Sequence, residues 1–336
     1  MAYIRPLICP FEMPQDSIHL SVNSNDIDQQ LTMISDSLHL DSLRRQLSEE
    51  LARQTAIDKH NTNLSVGIVA LVLVFLVLYP LVRGWIRRSH VLSYIKKEFV
   101  LNGPKYDVVL ALQNAYYKNL DQGERDRFLK RLIHFLKDKK FEYVGMDPIE
   151  EVPILVGGAA IQLTFGLRGY LMEYFETIYL LKEDYYFGYY QTPFQGHVNN
   201  KGIYLSWNNF LKGYENYSDG QNLGLHEMAH ALAYVNFSIA SGEDDEFQNR
   251  FKIFSKTARP IFGNMQKGNF ELLDKYGATD YNEFWAVSVE TFFEEPEQFY
   301  RKMPDLYLAL CSLLNQDPRE RVPVIVSSEA GETNSL

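Results

Sequence analysis

The sequence predicts an α+β protein: a mainly helical domain with a small sheet, preceded by a single transmembrane helix. Three observations predict it. One run of uncharged residues, Leu64–Val82, is as long as a bilayer core is thick. Beyond residue 100 most apolar positions recur at intervals of three and four, the helical period. Two short β-branched and aromatic runs, Glu176–Leu181 and Ile203–Trp207, are bounded by turn residues and supply strands.

Composition sets limits on function. Of 336 residues, 46% are hydrophobic and 23% charged, a globular balance with no collagen-like or disordered bias. The net charge of −10 leaves no broad basic face for phosphates and argues against a nucleic-acid partner. Two cysteines, Cys9 and Cys311, cannot build a zinc ribbon, an iron–sulfur site or a disulfide framework.

Residues 1–63 form a polar, acidic arm whose first part is broken by Pro6, Pro10 and Pro14. Leu31, Ile34 and Leu38, then Leu43, Leu47 and Leu51, recur at three and four, so the arm is expected to be partly helical. The nineteen uncharged residues 64–82 span about 28 Å as a helix, enough to cross a lipid bilayer once. The run starts too late and lacks the cleavage pattern of a signal peptide. Arg83, Arg87 and Arg88 follow it directly, with Lys96 and Lys97 beyond, whereas Lys59 on the other flank is accompanied by Asp58, Glu49 and Glu50. The positive-inside bias places the later domain in the cytoplasm and the arm outside, in a single-pass cell-membrane protein. Cys9 and Cys311 would then lie on opposite sides of the bilayer.

Residues 89–321 are expected to form one soluble domain, followed by a loose tail, 322–336. Helices are predicted over Tyr106–Tyr117 and Gln122–Lys137, the second with Phe128, Leu132, Phe135 and Leu136 on one side. Val152–Leu167 is too long for a strand, and Gly157–Gly158 inside it predicts a close helix contact. Turns follow at Asn199–Gly202 and Tyr217–Gly220. Further helices are predicted over Gln221–Val235, Phe247–Ala258 (stopped near Pro260), Tyr281–Glu294 and Pro304–Leu314. No internal repeat, Gly-rich phosphate loop or Gly-x-Ser-x-Gly elbow is present.

The chemistry concentrates in Asn222–Val235, which contains His226-Glu227-Met-Ala-His230 in a run of good helix formers. On a helix, His226 and His230 project from one face, close enough to share a metal. Glu227 lies about 100° round, beside the metal and not on it, where it can hold a water. That is the geometry of a zinc hydrolase. The metzincin extension would need Gly at 233 and His at 236, where the sequence has Ala233 and Asn236. No histidine follows His230, so a third protein ligand downstream must be a carboxylate. Glu283, Glu290 and Glu294 share one stripe of a later helix. Each has another use: Glu283 in a capping box with Asp280, Glu290 as a partner holding a histidine N–H, Glu294 as a solvated helix end.

The chain resembles the Mlc titration factor A family of zinc-dependent peptidases. The resemblance is carried by Gly202-Ile-Tyr-Leu-Ser-Trp207, by Asn222-Leu-Gly-Leu-His-Glu-Met-Ala-His-Ala-Leu232, by Tyr276 seven residues before Glu283, and by Asn282-Glu-Phe-Trp-Ala-Val287 with Ser288-Val-Glu-Thr-Phe-Phe-Glu-Glu-Pro296. It covers roughly residues 125–320. It implies that His226, His230 and Glu283 are zinc ligands, that Glu227 is the catalytic base and that Tyr276 is an active-site tyrosine; from the acidic stripe itself, Glu290 stands in reserve for the third ligand. The implied fold is similar to the catalytic core of gluzincins and lethal-factor-type toxins, with an edge strand beside the zinc helix. The sequence departs from the family at Ala233, where an Asp is usual, and in its membrane span and acidic arm.

The expected function is zinc-dependent hydrolysis of a peptide or protein substrate at the membrane. The Ile203–Trp207 strand is expected to pair with extended substrate. The rival expectation is a membrane-tethered, zinc-binding regulatory module that binds a cytoplasmic partner such as a transcription factor.

Overall fold

The computed structural model describes residues 24–188, 191–239, 242 and 244–321. Cys9, the three early prolines and the tail at 322–336 lie outside the described residues. The chain divides into two compact units, the first ending at Trp85 and the second beginning at Ile86.

The described part of the arm, residues 24–63, and the apolar run are one helix, α1 (Ser24–Leu101), with Pro80 inside it. Thr62 and Ser65 donate their hydroxyls to the carbonyls of Asp58 and Asn61, which satisfies them within the helix just ahead of the apolar stretch. Every side chain from residue 32 to residue 90 is exposed. Among the described residues α1 is the one helix long and apolar enough to cross a membrane.

The second unit is α+β, mainly helical with a small mixed sheet. The predicted helix at 106–117 is two helices, α2 (Gly103–Gln113) and α3 (Ala115–Lys118). The break is at Asn114, whose side-chain oxygen accepts the Tyr117 N–H and whose amide donates to Gln162. A residue that offers the backbone an alternative partner interrupts the ladder. Helix α4 (Gln122–Asp138) opens on a capping box between Asp121 and Glu124 and buries Phe128, Leu132 and Phe135. Helix α5 (Glu151–Thr164) is buried along nearly its whole length. A Cβ at Gly157 would stand 2.5 Å from Leu132, and one at Gly158 2.9 Å from Leu110. The paired glycines therefore let α5 pack closely against α4 and α2.

The sheet has the order β1-β2-β4-β3. Strands β1 (Lys140–Val144), β2 (Thr177–Leu181) and β4 (Gly202–Ser206) run parallel, and β3 (Gly196–Asn199) pairs antiparallel with β4. The predicted strand at 203–207 is thus interior, paired on both sides, and cannot take an extended substrate. The sheet edge on that side is β3, four residues that open with Gly196. Trp207 leaves the strand and begins α6 (Trp207–Glu215), which buries Trp207, Phe210 and Tyr214.

Helix α7 (Leu223–Phe237) packs against α5, β3, β4 and α9 (Tyr281–Glu294). Helix α8 (Asp245–Met265) runs through Pro260, where the sequence predicts a stop. Its last turns are held by packing: Phe262 contacts Tyr281 and Phe284, and Met265 is buried. Helices α10 (Pro296–Lys302) and α11 (Pro304–Leu314) complete the core.

Candidate metal centre

Asn222 fixes the start of α7. Its side-chain oxygen accepts the Leu225 N–H at 3.0 Å, its own N–H donates to Glu290 Oε2 at 2.6 Å, and its amide donates to Glu294 Oε1 at 2.9 Å. Trp285 on α9 donates its indole N–H to the Ala229 carbonyl at 2.9 Å and pins the two helices together a turn later. Helix α9 is capped by Asp280, whose side chain accepts the N–H groups of Asn282 and Glu283. The Glu283 side chain is therefore not spent on a reciprocal cap and turns toward α7.

His226 Nε2, His230 Nε2 and Glu283 Oε2 converge. The separations are 3.1 Å between the two nitrogens, 3.1 Å from His226 to Glu283 and 3.4 Å from His230 to Glu283. A tetrahedral ion with ligand bonds of about 2.0–2.1 Å sets its ligand atoms about 3.3–3.4 Å apart, so the triangle is the right size for one. Glu290 Oε1 meets His226 Nδ1 at 2.7 Å. A carboxylate can only accept, so Nδ1 carries the proton and Nε2 presents its lone pair to two other lone-pair atoms. Only a cation relieves that convergence. Burial opposes the charge on His226, but Glu283 and Glu290 hold its pKa well above the usual histidine value. Burial likewise works to raise Glu283, but hydrogen bonds from the two histidines outweigh it and hold the carboxyl at about 2. These three residues form a group able to hold a metal ion.

Glu227 is 3% exposed, and its Oε2 is a buried side-chain oxygen without a hydrogen-bond partner among the described residues. Burial pushes its pKa up to about 7, against the pull of His226 and His230. Its carboxylate lies against Gly196 on β3, where a Cβ would stand 2.5 Å from Oε1. Tyr276 sits on a 3-10 turn, Lys275–Ala278, entered through Asp274, which accepts the Tyr276 N–H. Its ring is half exposed, 6.1 Å from the His226 ring. Burial, then the charges of Glu283 and Glu227, raise its phenol to about 12.

Glu294 is not solvated. It is buried at the end of α9, where it accepts the Gln221 N–H and the Asn222 amide, and burial pushes it up to about 8. Three further features escape a reading of the sequence. Gly196 makes room for Glu227. His197 on β3 stacks on Tyr204, with ring centroids 4.3 Å apart, and its nitrogens meet the Tyr185 hydroxyl and the Asn199 amide. Lys252, Lys256 and Arg259 line the same cleft as the histidines. For the cations a signal was available: their i, i+4, i+7 spacing sets them on one helical stripe, opposite the buried Phe247 and Phe254.

The cleft has a volume of about 810 Å³. From α7 it is lined by His226, Glu227, His230, Ala233, Tyr234 and Phe237, a face that continues well past the second histidine. Ala233, the departure noted in the sequence, faces this space.

A helix-borne His-His-Glu group beside a small mixed sheet defines a metallopeptidase-like protein. The chain belongs to the glucose-regulated metallo-peptidase M90 family, whose model matches residues 103–314. It is similar to an uncharacterised protein of Synechocystis sp., 23% identical over 228 residues, which are 62% of this chain and 82% of that protein. It is also similar to the Mlc titration factor A proteins of Salmonella agona, 31% identical over 128 residues, and of Escherichia coli, 30% identical over 126 residues. Each of these two matches covers 36% of this chain, and 48% and 47% of the respective relatives. The chain thus spans about half the length of the Mlc titration factor A proteins it matches.

Proposed function

We propose that the chain is a membrane-anchored, zinc-dependent peptidase that holds its metal with His226, His230 and Glu283. The observation that carries this reading is the lone-pair triangle with edges of 3.1–3.4 Å, beside a buried Glu227 whose Oε2 has no partner among the described residues. When bound there, a zinc ion would polarise the scissile carbonyl and acidify a water. Glu227 takes the proton of the attacking water at its carboxylate and passes it to the leaving amine. Glu290 orients His226 by accepting its Nδ1–H. Tyr276, protonated at neutral pH, donates a hydrogen bond to the oxygen that gains charge. The apolar, fully exposed stretch of α1 supports a single membrane span, and the cations that follow it support a cytoplasmic catalytic domain.

Glu227→Gln tests the assignment. It is expected to keep stoichiometric zinc and to lose about 10²–10⁴-fold in peptide hydrolysis, the usual worth of a general base. Turnover retained in the zinc-loaded variant sinks the catalytic reading. The relatives named Mlc titration factor A favour a second reading, a membrane-tethered metal-binding module that acts by binding a regulatory protein. Peptidase assays of the full chain in detergent, with and without chelator, separate the two: the enzyme is silenced by chelation, and the binding module cleaves nothing under either condition.

A further inference from the structure

The wall of the cleft contributed by α8 carries Lys252, Lys256 and Arg259. All three are exposed, and among the described residues none is within ion-pair distance of a carboxylate. Elsewhere in the domain some cations find anions, as Arg250 finds Glu246 and Arg319 finds Asp317, while others that pair with none lie outside the cleft. Of the carboxylates that line the cleft, Asp280 is occupied as the cap of α9, and Glu227 and Glu283 belong to the metal centre. In a chain of net charge −10, three positive charges on one helical stripe, none of them in an ion pair among the described residues, thus line the candidate active-site cleft.

Its position relative to the metal centre is fixed at both ends. The Arg259 guanidinium lies over the Tyr281 ring at 4.8 Å, two residues before Glu283, and the Tyr281 hydroxyl donates to Ser255 at 3.1 Å. At the other end Phe251, next to Lys252, packs on Phe237 of α7 with ring centroids 4.7 Å apart. Phe237 is seven residues beyond His230, or about 10 Å along the helix axis. The stripe therefore runs beside the cleft from the Glu283 end toward the end of α7. One to three residues of extended chain, at about 3.3 Å each, cover that interval.

We propose that Lys252, Lys256 and Arg259 form a subsite for a carboxylate of the substrate, so that the enzyme selects peptides with an acidic group within about three residues of the scissile bond. This rests on the peptidase reading. Backbone contacts at a metal centre do not distinguish side chains, whereas a fixed stripe of cations favours anionic ones and repels basic ones. Ala233, small and facing the same cleft, leaves that side open to the incoming side chain.

The test uses the full chain in detergent micelles, loaded with zinc, and internally quenched peptides that differ at one position among Glu, Gln and Lys. Each peptide is made with a free and with an amidated C-terminus. A Glu peptide is expected to exceed its Gln twin about tenfold in kcat/KM at low salt, with Lys the poorest, and the ratio should shrink as salt rises. Amidation is expected to leave the Glu-to-Gln ratio unchanged, because the recognised group is the side chain; a loss of rate on amidation that is equal for Glu and Gln peptides, with a ratio near one, assigns the preference to the terminal carboxylate and overturns the side-chain subsite. The triple variant Lys252→Gln, Lys256→Gln, Arg259→Gln should bring the Glu-to-Gln ratio toward one, and the ratio rather than the absolute rate is the readout. A ratio near one in the natural chain, or a preference that survives the triple variant, overturns the subsite. Fluorescence anisotropy of labelled Glu and Gln peptides on the zinc-loaded Glu227→Gln chain reads the same preference without turnover. Preferential binding of the Glu peptide with no hydrolysis by the natural chain sinks the peptidase reading and leaves the subsite standing; equal binding overturns the subsite.

Discussion

Glu227 and Gly196 occupy space that a side chain at 196 would contest, since a Cβ there stands 2.5 Å from the carboxylate. Gly196→Ala is therefore expected to displace Glu227 while leaving the triad alone. Hydrolysis should fall with zinc content unchanged, and loss of zinc instead would show that β3 supports the histidines directly. Glu290 acts differently. It touches His226 at the nitrogen that faces away from the triad, so Glu290→Ala should weaken zinc by about 10–100-fold, as removal of such supporting carboxylates does. Competition with a chromophoric chelator measures this. Glu283 and Glu290 are both seven or fewer residues from other acids on one stripe, and spacing alone does not separate them. What separates them is Asp280, which takes over the capping of α9 and frees Glu283 to face His226 and His230.

At the scale of elements, the helix pair α7 and α9 carries a buried acid whose charge is disfavoured. Glu294 has a folded pKa of about 8, raised by burial, against about 4.5 for a free glutamate. A pKa raised on folding stabilises the fold in full below pH 4.5, and that contribution is lost as pH rises through about 8. The melting temperature is expected to decline over this interval, and Glu294→Gln, which cannot ionise, should flatten the decline. A variant that keeps the full slope would assign it to other groups. This residue also shows where sequence reasoning stops. A glutamate at a helix C-terminal end normally projects into water. Its burial depends on Gln221 and Asn222, more than seventy positions away, arriving from another segment. Strands β1 and β3 were illegible for a related reason. Lys140-Phe-Glu-Tyr-Val is five residues, three exposed and none buried, and β3 is four residues opening on glycine. Both are too short, and too little buried, to declare themselves without the partner strand. Helices α4, α7 and α9 were legible because each carries its own period and its own cap.

At the scale of the whole molecule, the described part of the acidic arm and the apolar run form one helix without a break, although their compositions differ sharply. The proposed topology predicts that the chain stays with the membrane after alkaline carbonate extraction. In intact cells stripped of their outer layers, added protease should remove an N-terminal tag and spare a C-terminal one. Protection of the N-terminal tag instead would reverse the orientation. The metal should stabilise the fold as well as serve the chemistry, since a ligand that binds only the native state raises the melting temperature. Chelation is expected to lower it, and His226→Ala should make it insensitive to chelator.

Asn222 sits four residues before His226, and three of its hydrogen bonds decide where on the circumference of α7 the histidines point. It works as an index mark: the backbone N–H is keyed to Glu290, the amide to Glu294, and the winding counts forward from there. Each residue of winding turns a helix by about 100°. One residue added or removed between Asn222 and His226 would swing both imidazoles away from Glu283 and dissolve the triad, with every one of its members still in the sequence.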